Sequence, residues 1–144
     1  LSPIDQTTNF TFNKFFRKIT KNKNKTVKTL EIKGRKLVMQ NYYDNVAKFN
    51  FDELCNRNLG SEDYISVANN CDFIFIENLP DFSESNSNQQ QRFISLIDIV
   101  YEKKIPLMIT SKVKLEKINS SKSMKEPFKR TVSRLYELTS INFN

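Results

Sequence analysis

At 144 residues, with 38% hydrophobic and 27% charged residues, the chain is long enough for one domain with its own core and too apolar for disorder along its whole length. Its net charge is +7, and it holds no His and only two cysteines, Cys55 and Cys71, with no C-x-x-C pair. These counts exclude zinc-finger and His-based catalytic chemistry and leave two free thiols that read as small buried hydrophobes. No window approaches the roughly eighteen apolar residues of a membrane span, so the sequence reads as soluble and cytoplasmic. Leu1 in place of Met, and Pro3 with no apolar leader, read as a cut from a longer polypeptide.

In chain order, Phe12, Phe15, Phe16 and Ile19 follow the i, i+3, i+4, i+7 spacing of an amphipathic helix, with Thr8 or Asn9 as its expected cap. The helix is expected to end in the Lys/Asn-rich stretch 20–25. Residues 26–33 read as a strand, Gly34-Arg35 as a turn, and Lys36 to Asn41 as the hairpin partner. A third strand is expected at 46–51, where Ala47, Phe49 and Phe51 alternate with Lys48 and Asn50.

Ser61, followed by Glu62 and Asp63, reads as the N-cap of a short helix reaching Asn69. Phe73-Ile74-Phe75-Ile76 is apolar on both faces, as in a buried parallel strand. Between Asn88 and Glu102, the residues Phe93, Leu96, Ile97, Val100 and Tyr101 share one helical stripe, with Lys103 and Lys104 at the C-terminal end. Pro106 to Thr110 reads as a second buried strand, so strand, helix and strand form a parallel unit with a right-handed crossover. A helical stretch at 114–118, a polar loop at 119–125 and a last helix from Pro127 to Leu138 complete the chain.

The cations Arg17, Lys18, Lys21, Lys23, Lys25 and Lys28 offer a contact for nucleic acid or an anionic membrane surface. A Lys/Asn-rich run is more often a solvated loop, and on charge alone that reading outweighs the other. With only two glycines, Gly34 and Gly60, the chain contains no phosphate loop of the G-x-x-x-x-G-K-[ST] kind. Asp52-Glu53, after an apolar strand, imitates a metal-binding acid pair but reads better as acids opening a helix. Glu77-Asn78 and Thr110-Ser111 end the two buried strands, where α/β sites collect, but one carboxylate without a partner is a poor metal site.

Several stretches keep a common order and spacing: Phe51 to Cys55, Leu59-Gly60 with Asp63-Tyr64, Phe73 to Pro80, Arg92 to Asp98 with Tyr101-Glu102, and Phe128 to Leu135 with Glu137 and Ser140. Together they resemble the ZapE/AFG-type ATPases, a branch of the AAA+ P-loop group, over most of residues 30–140. The sequence departs from that pattern in its N-terminal Lys/Asn enrichment and at Asn56, Asn58, Asn78 and Lys112.

The resemblance implies an α/β fold with a parallel βαβ core and an antiparallel hairpin region. Residues 1–144 would form one segment, the C-terminal part of a P-loop NTPase domain whose Walker A and Walker B regions and first sensor lie upstream. It further implies ATP and Mg2+ as cofactors held mainly by that upstream part, ATP-driven work on protein partners in either cell division or protein quality control, with division proteins as candidate partners, and a homo-oligomer for the full-length chain. Arg130 and Arg134 are the candidate catalytic residues. Four apart on a helix, they are expected to project from one face and meet a phosphate as a sensor or an arginine finger. The competing expectations for them are pairing with Glu126 or Glu137, or simple solvation. Thr131 and Ser133 read as local backbone bonders. The alternative to an ATPase part is a basic interaction module without chemistry that binds nucleic acid or a division-site protein; an independent hydrolase lacks an activated nucleophile, a His and a carboxylate pair.

Overall fold

The computed structural model describes residues 6–139, with side chains from Phe10 onward. Among them, five strands form one sheet in the order β1-β2-β3-β4-β5, made of β1 (Lys25–Ile32), β2 (Arg35–Tyr43), β3 (Val46–Asn50), β4 (Phe73–Leu79) and β5 (Leu107–Ser111). The first three run antiparallel, while β3, β4 and β5 are parallel neighbours. The expected hairpin region and parallel core are therefore one continuous mixed sheet, with β3 as the strand that belongs to both.

Both hairpin turns place two residues in the left-handed region, as the twist of adjacent strands requires. Lys33 and Gly34 have φ of 47° and 80°, and Asp44 and Asn45 have 45° and 72°. The first turn therefore lies one residue earlier than Gly34-Arg35, and Arg35 already pairs with Ile32 across the ladder.

The period of two in β4 sorts its side chains onto two faces. Phe73 and Phe75 meet α1 (Gln6–Thr20), in a cluster with Phe12, Phe16, Val46 and Met108. Phe16 stacks on Phe75 at 5.0 Å and Phe12 meets the same ring edge-on at 5.4 Å. Ile74 and Ile76 face the larger core, shared with Phe49, Tyr64, Phe93, Leu96, Ile97 and Leu135. That side is covered by α3 (Ser61–Asn69), α4 (Ser87–Glu102) and α5 (Lys125–Thr139).

Three end signals differ from expectation. Thr8 and Asn9 lie inside α1 rather than capping it. Gly60, not Ser61, is the N-cap of α3, because Asp63 reaches back to accept the Gly60 N–H at 2.8 Å. The third strand ends at Asn50, where a short helix, α2 (Phe51–Cys55), begins. At the other end of α4, Lys104 adopts φ 56° in the place usually taken by glycine. The N–H groups of Lys104 and Ile105 then close back on the carbonyls of Tyr101 and Val100. Pro106, directly after, bars further helix.

Candidate functional site

The last helix is amphipathic: Phe128, Thr131, Leu135 and Leu138 form its buried stripe against α4 and β5. Pro127 sits in its first turn, where a missing N–H costs nothing. Arg130 and Arg134 flank the stripe, and the fold gives them different surroundings. The Arg134 guanidinium donates to Asp98 Oδ1 on α4 and lies over the Tyr101 ring at 4.7 Å, its side chain 26% exposed. Arg130, one turn earlier, is exposed, and no ion pair or hydrogen bond holds it among the described residues.

The partner of Arg134 is thus Asp98 rather than Glu126 or Glu137. Glu126 pairs with Lys129 at 3.1 Å instead. Glu137 accepts a hydrogen bond from Tyr101, which raises that phenol above its usual range. Thr131 bonds the Pro127 carbonyl at 3.3 Å, a local helix contact as its type predicts.

The approach to α5 is pinned by a polar latch that the sequence concealed. Gln90, fully buried on α4, donates to Ser120 Oγ at 2.7 Å and accepts the Ser121 N–H at 3.1 Å. Asp81 accepts from the Asn119 backbone and side chain, at 2.5 and 2.9 Å. These contacts fix the polar loop before the helix. Gln90 lies in a run biased toward Ser, Asn and Gln, but its spacing of three and seven from Phe93 and Ile97 put it on the apolar stripe. No equivalent signal marked Asp98, because only the tertiary pairing of α4 with α5 gives it a role.

At the C-terminal ends of the parallel strands, Glu53 and Glu77 are already engaged. Glu53 accepts the Asn50 N–H at 2.9 Å while Asn50 Oδ1 accepts from the Asp52 N–H at 3.1 Å, a reciprocal cap that opens α2. Glu77 pairs with Lys48 at 3.4 Å. Asn78 takes φ 67° at the bulge in β4, and its N–H donates to Thr110 Oγ1 at 3.0 Å. Ser111 Oγ donates to the Val113 carbonyl at 2.5 Å.

No group of three or more acidic or thiol ligands converges on one point among the described residues. Gly34 serves a hairpin turn and Gly60 a helix cap, so neither shapes a loop that would wrap phosphates. Among the described residues no phosphate loop or metal-binding cluster for a nucleoside triphosphate with its Mg2+ is formed; what α5 offers is an exposed guanidinium.

Cys55 and Cys71 are free and buried, as their type suggested. Loss of hydration pushes the Cys71 thiol up to about 12 and the Cys55 thiol further, so neither is a thiolate nucleophile. No described helix is long and apolar enough to cross a membrane.

A family model described as AFG1-like ATPase matches residues 1–144. The chain is 27% identical over 140 residues to the cell division protein ZapE of Escherichia coli K12, covering 97% of this chain and 37% of that protein, in its C-terminal part. It is 29% identical over 91 residues to lactation elevated protein 1 homolog B of Danio rerio, 63% of this chain and 18% of that one. An uncharacterized protein of Schizosaccharomyces pombe is 30% identical over 89 residues, 62% of this chain and 20% of its own length. The chain therefore spans well under half the length of these relatives. No solved structure shows a significant match.

Proposed function

This chain belongs to the AFG1-like ATPase family, whose members are built on a P-loop AAA+ domain, and on that premise we propose that it is the C-terminal part of an ATP-hydrolysing machine that acts on protein partners. Similarity to a cell division protein makes division proteins the first partners to test. The reading places the chain in the cytoplasm, in a homo-oligomer of the full-length protein, with ATP and Mg2+ held mainly by residues that correspond to the upstream part of its relatives. A segment of this kind, alone, is not expected to hydrolyse ATP.

The observation that carries the reading is the division of labour between the two α5 arginines. Arg134 is committed to Asp98 and Tyr101, which fixes α5 against α4. Arg130 stands exposed on the helix so fixed. A positioned guanidinium stabilises the charge that develops on a transferring phosphoryl group, and it does so best when its scaffold does not move during the reaction. We assign Arg130 that role toward a phosphate bound elsewhere in the assembly, and Arg134 the role of a positioning residue. ATP turnover by this chain mixed with the upstream part of the Escherichia coli relative, with Arg130→Ala and Arg134→Ala compared to the parent, tests the assignment.

A further inference from the structure

One face of the molecule is left without a role by the ATPase reading. Of the 23 Lys and Arg, seven fall between Gln6 and Leu30, where there is no Asp or Glu; the remaining 16 match the 16 carboxylates in number. The whole net charge of +7 therefore lies on α1, the loop after it and the first half of β1. A charge merely spread for solubility would not be confined in this way.

The fold turns this stretch into a shaped surface. Because Phe12 and Phe16 are consumed against Phe75, the cations of α1 point away from the sheet. Between α1 and β5 runs an open groove of about 640 Å³ whose lining includes Lys14, Arg17, Lys18 and Lys21 above a floor of Phe15 and Met108. No ion pair holds any of these four cations among the described residues, and Lys14, Arg17, Lys18 and Lys21 are all exposed. One turn before Lys14, Phe10 is 61% exposed. On a helix of 3.6 residues per turn, Phe10, Lys14 and Arg17 fall on one stripe, and Lys21 follows directly after the end of α1.

We propose that this groove binds single-stranded nucleic acid. Unpaired cations along the helix suit a chain of phosphates, and the exposed ring of Phe10 beside them suits the flat face of an unpaired base. A bilayer surface fits less well, because the apolar face with which an amphipathic helix would enter lipid is already spent on Phe75 and Phe73. The surface is built from α1 and β5 and uses neither Arg130 nor Arg134, so it stands or falls apart from the ATPase reading.

The test is fluorescence anisotropy of a labelled oligo-dT strand titrated with the full 144-residue chain, beside sedimentation with phosphatidylserine vesicles. With four phosphate contacts, affinity is expected to fall with a log–log salt slope of about −3, or roughly 50-fold between 50 and 200 mM salt. Lys14→Glu/Arg17→Glu/Lys21→Glu should abolish binding. Lys114→Glu/Lys117→Glu/Lys122→Glu, the same change of charge on another exposed face, should leave it within about twofold. Phe10→Ala, which alters no charge, should weaken it roughly tenfold, with an unchanged thermal melt as the check on folding. Equal loss in both triple variants would reduce the effect to net charge and overturn the proposal. Vesicle binding without oligonucleotide binding would overturn it in favour of a lipid surface, and binding of neither would overturn it outright.

Discussion

Arg134 and Asp98 tie the last two helices together: the guanidinium of one donates to the carboxylate of the other across α5 and α4, and Tyr101 supplies a ring face beneath it. The pair is only partly desolvated, with Asp98 38% exposed, so its direct contribution to stability is small, on the order of 1 kcal/mol. Its larger consequence is orientation of the helix that carries Arg130.

Asp98→Ala is accordingly expected to lower the urea midpoint only slightly, by an amount equivalent to about 1 kcal/mol. Arg134→Lys should not restore the parent behaviour, since an ammonium cannot both stack flat on Tyr101 and present a fork to Asp98. Equilibrium unfolding of the two variants and of Asp98→Ala/Arg134→Ala checks this. A double variant that costs the sum of the two singles would show that the groups do not interact.

A larger loss is predicted at Asp63. Its carboxylate is 2% exposed, meets Arg35 at 3.1 and 3.2 Å, and caps Gly60 at 2.8 Å. It thus fastens the β1–β2 hairpin to α3, a link that Lys33 and Glu62 reinforce at the surface. Asp63→Ala removes a helix cap and the partner of Arg35 together and should cost about 2–3 kcal/mol. Glu62→Ala, at an exposed pair, should cost under about 1 kcal/mol. Urea unfolding followed by circular dichroism separates the two.

Alkaline pH should destabilise the fold. Burial raises the Cys71 thiol from 9.0 to about 12, and burial raises Cys55 and the Tyr64 phenol as well. A group whose folded pKa is raised contributes stability below its unfolded pKa and loses it as pH rises. The unfolded chain releases the Cys71 proton near pH 9.0 while the folded chain keeps it to about 12. Over that window each such thiol steepens the fall by up to about 1.4 kcal/mol per pH unit. Cys71→Ala should flatten the decline between pH 9 and 11, measured as unfolding free energy against pH.

The periodic signals in the sequence carried most of this architecture. Phe73 to Ile76 announced a strand buried on both faces, and the Phe93, Leu96, Ile97, Val100 stripe announced α4. Short-range details were harder to read, because several residues compete for each role. Ser61 looked like a cap, yet the longer reach of Asp63 to Gly60 took that place. A turn containing Gly34 was evident, but its position depended on the register of Ile32 with Arg35. At the candidate site the helix bearing Arg130 and Arg134 was legible, whereas their different surroundings were not, because Asp98 and Gln90 acquire their partners only when α4 packs beside α5 and its preceding loop.

The central claim is that Arg130 supplies the charge and Arg134 holds the helix that presents it. The most direct measurement is ATP turnover by this chain mixed with the upstream part of its Escherichia coli relative. We predict turnover only in the mixture, lost by about 10³-fold or more with Arg130→Ala, as for an arginine finger. Arg134→Ala and Asp98→Ala should reduce it to a lesser and matching extent. Turnover unchanged by Arg130→Ala, in a mixture that hydrolyses ATP, would contradict the assignment.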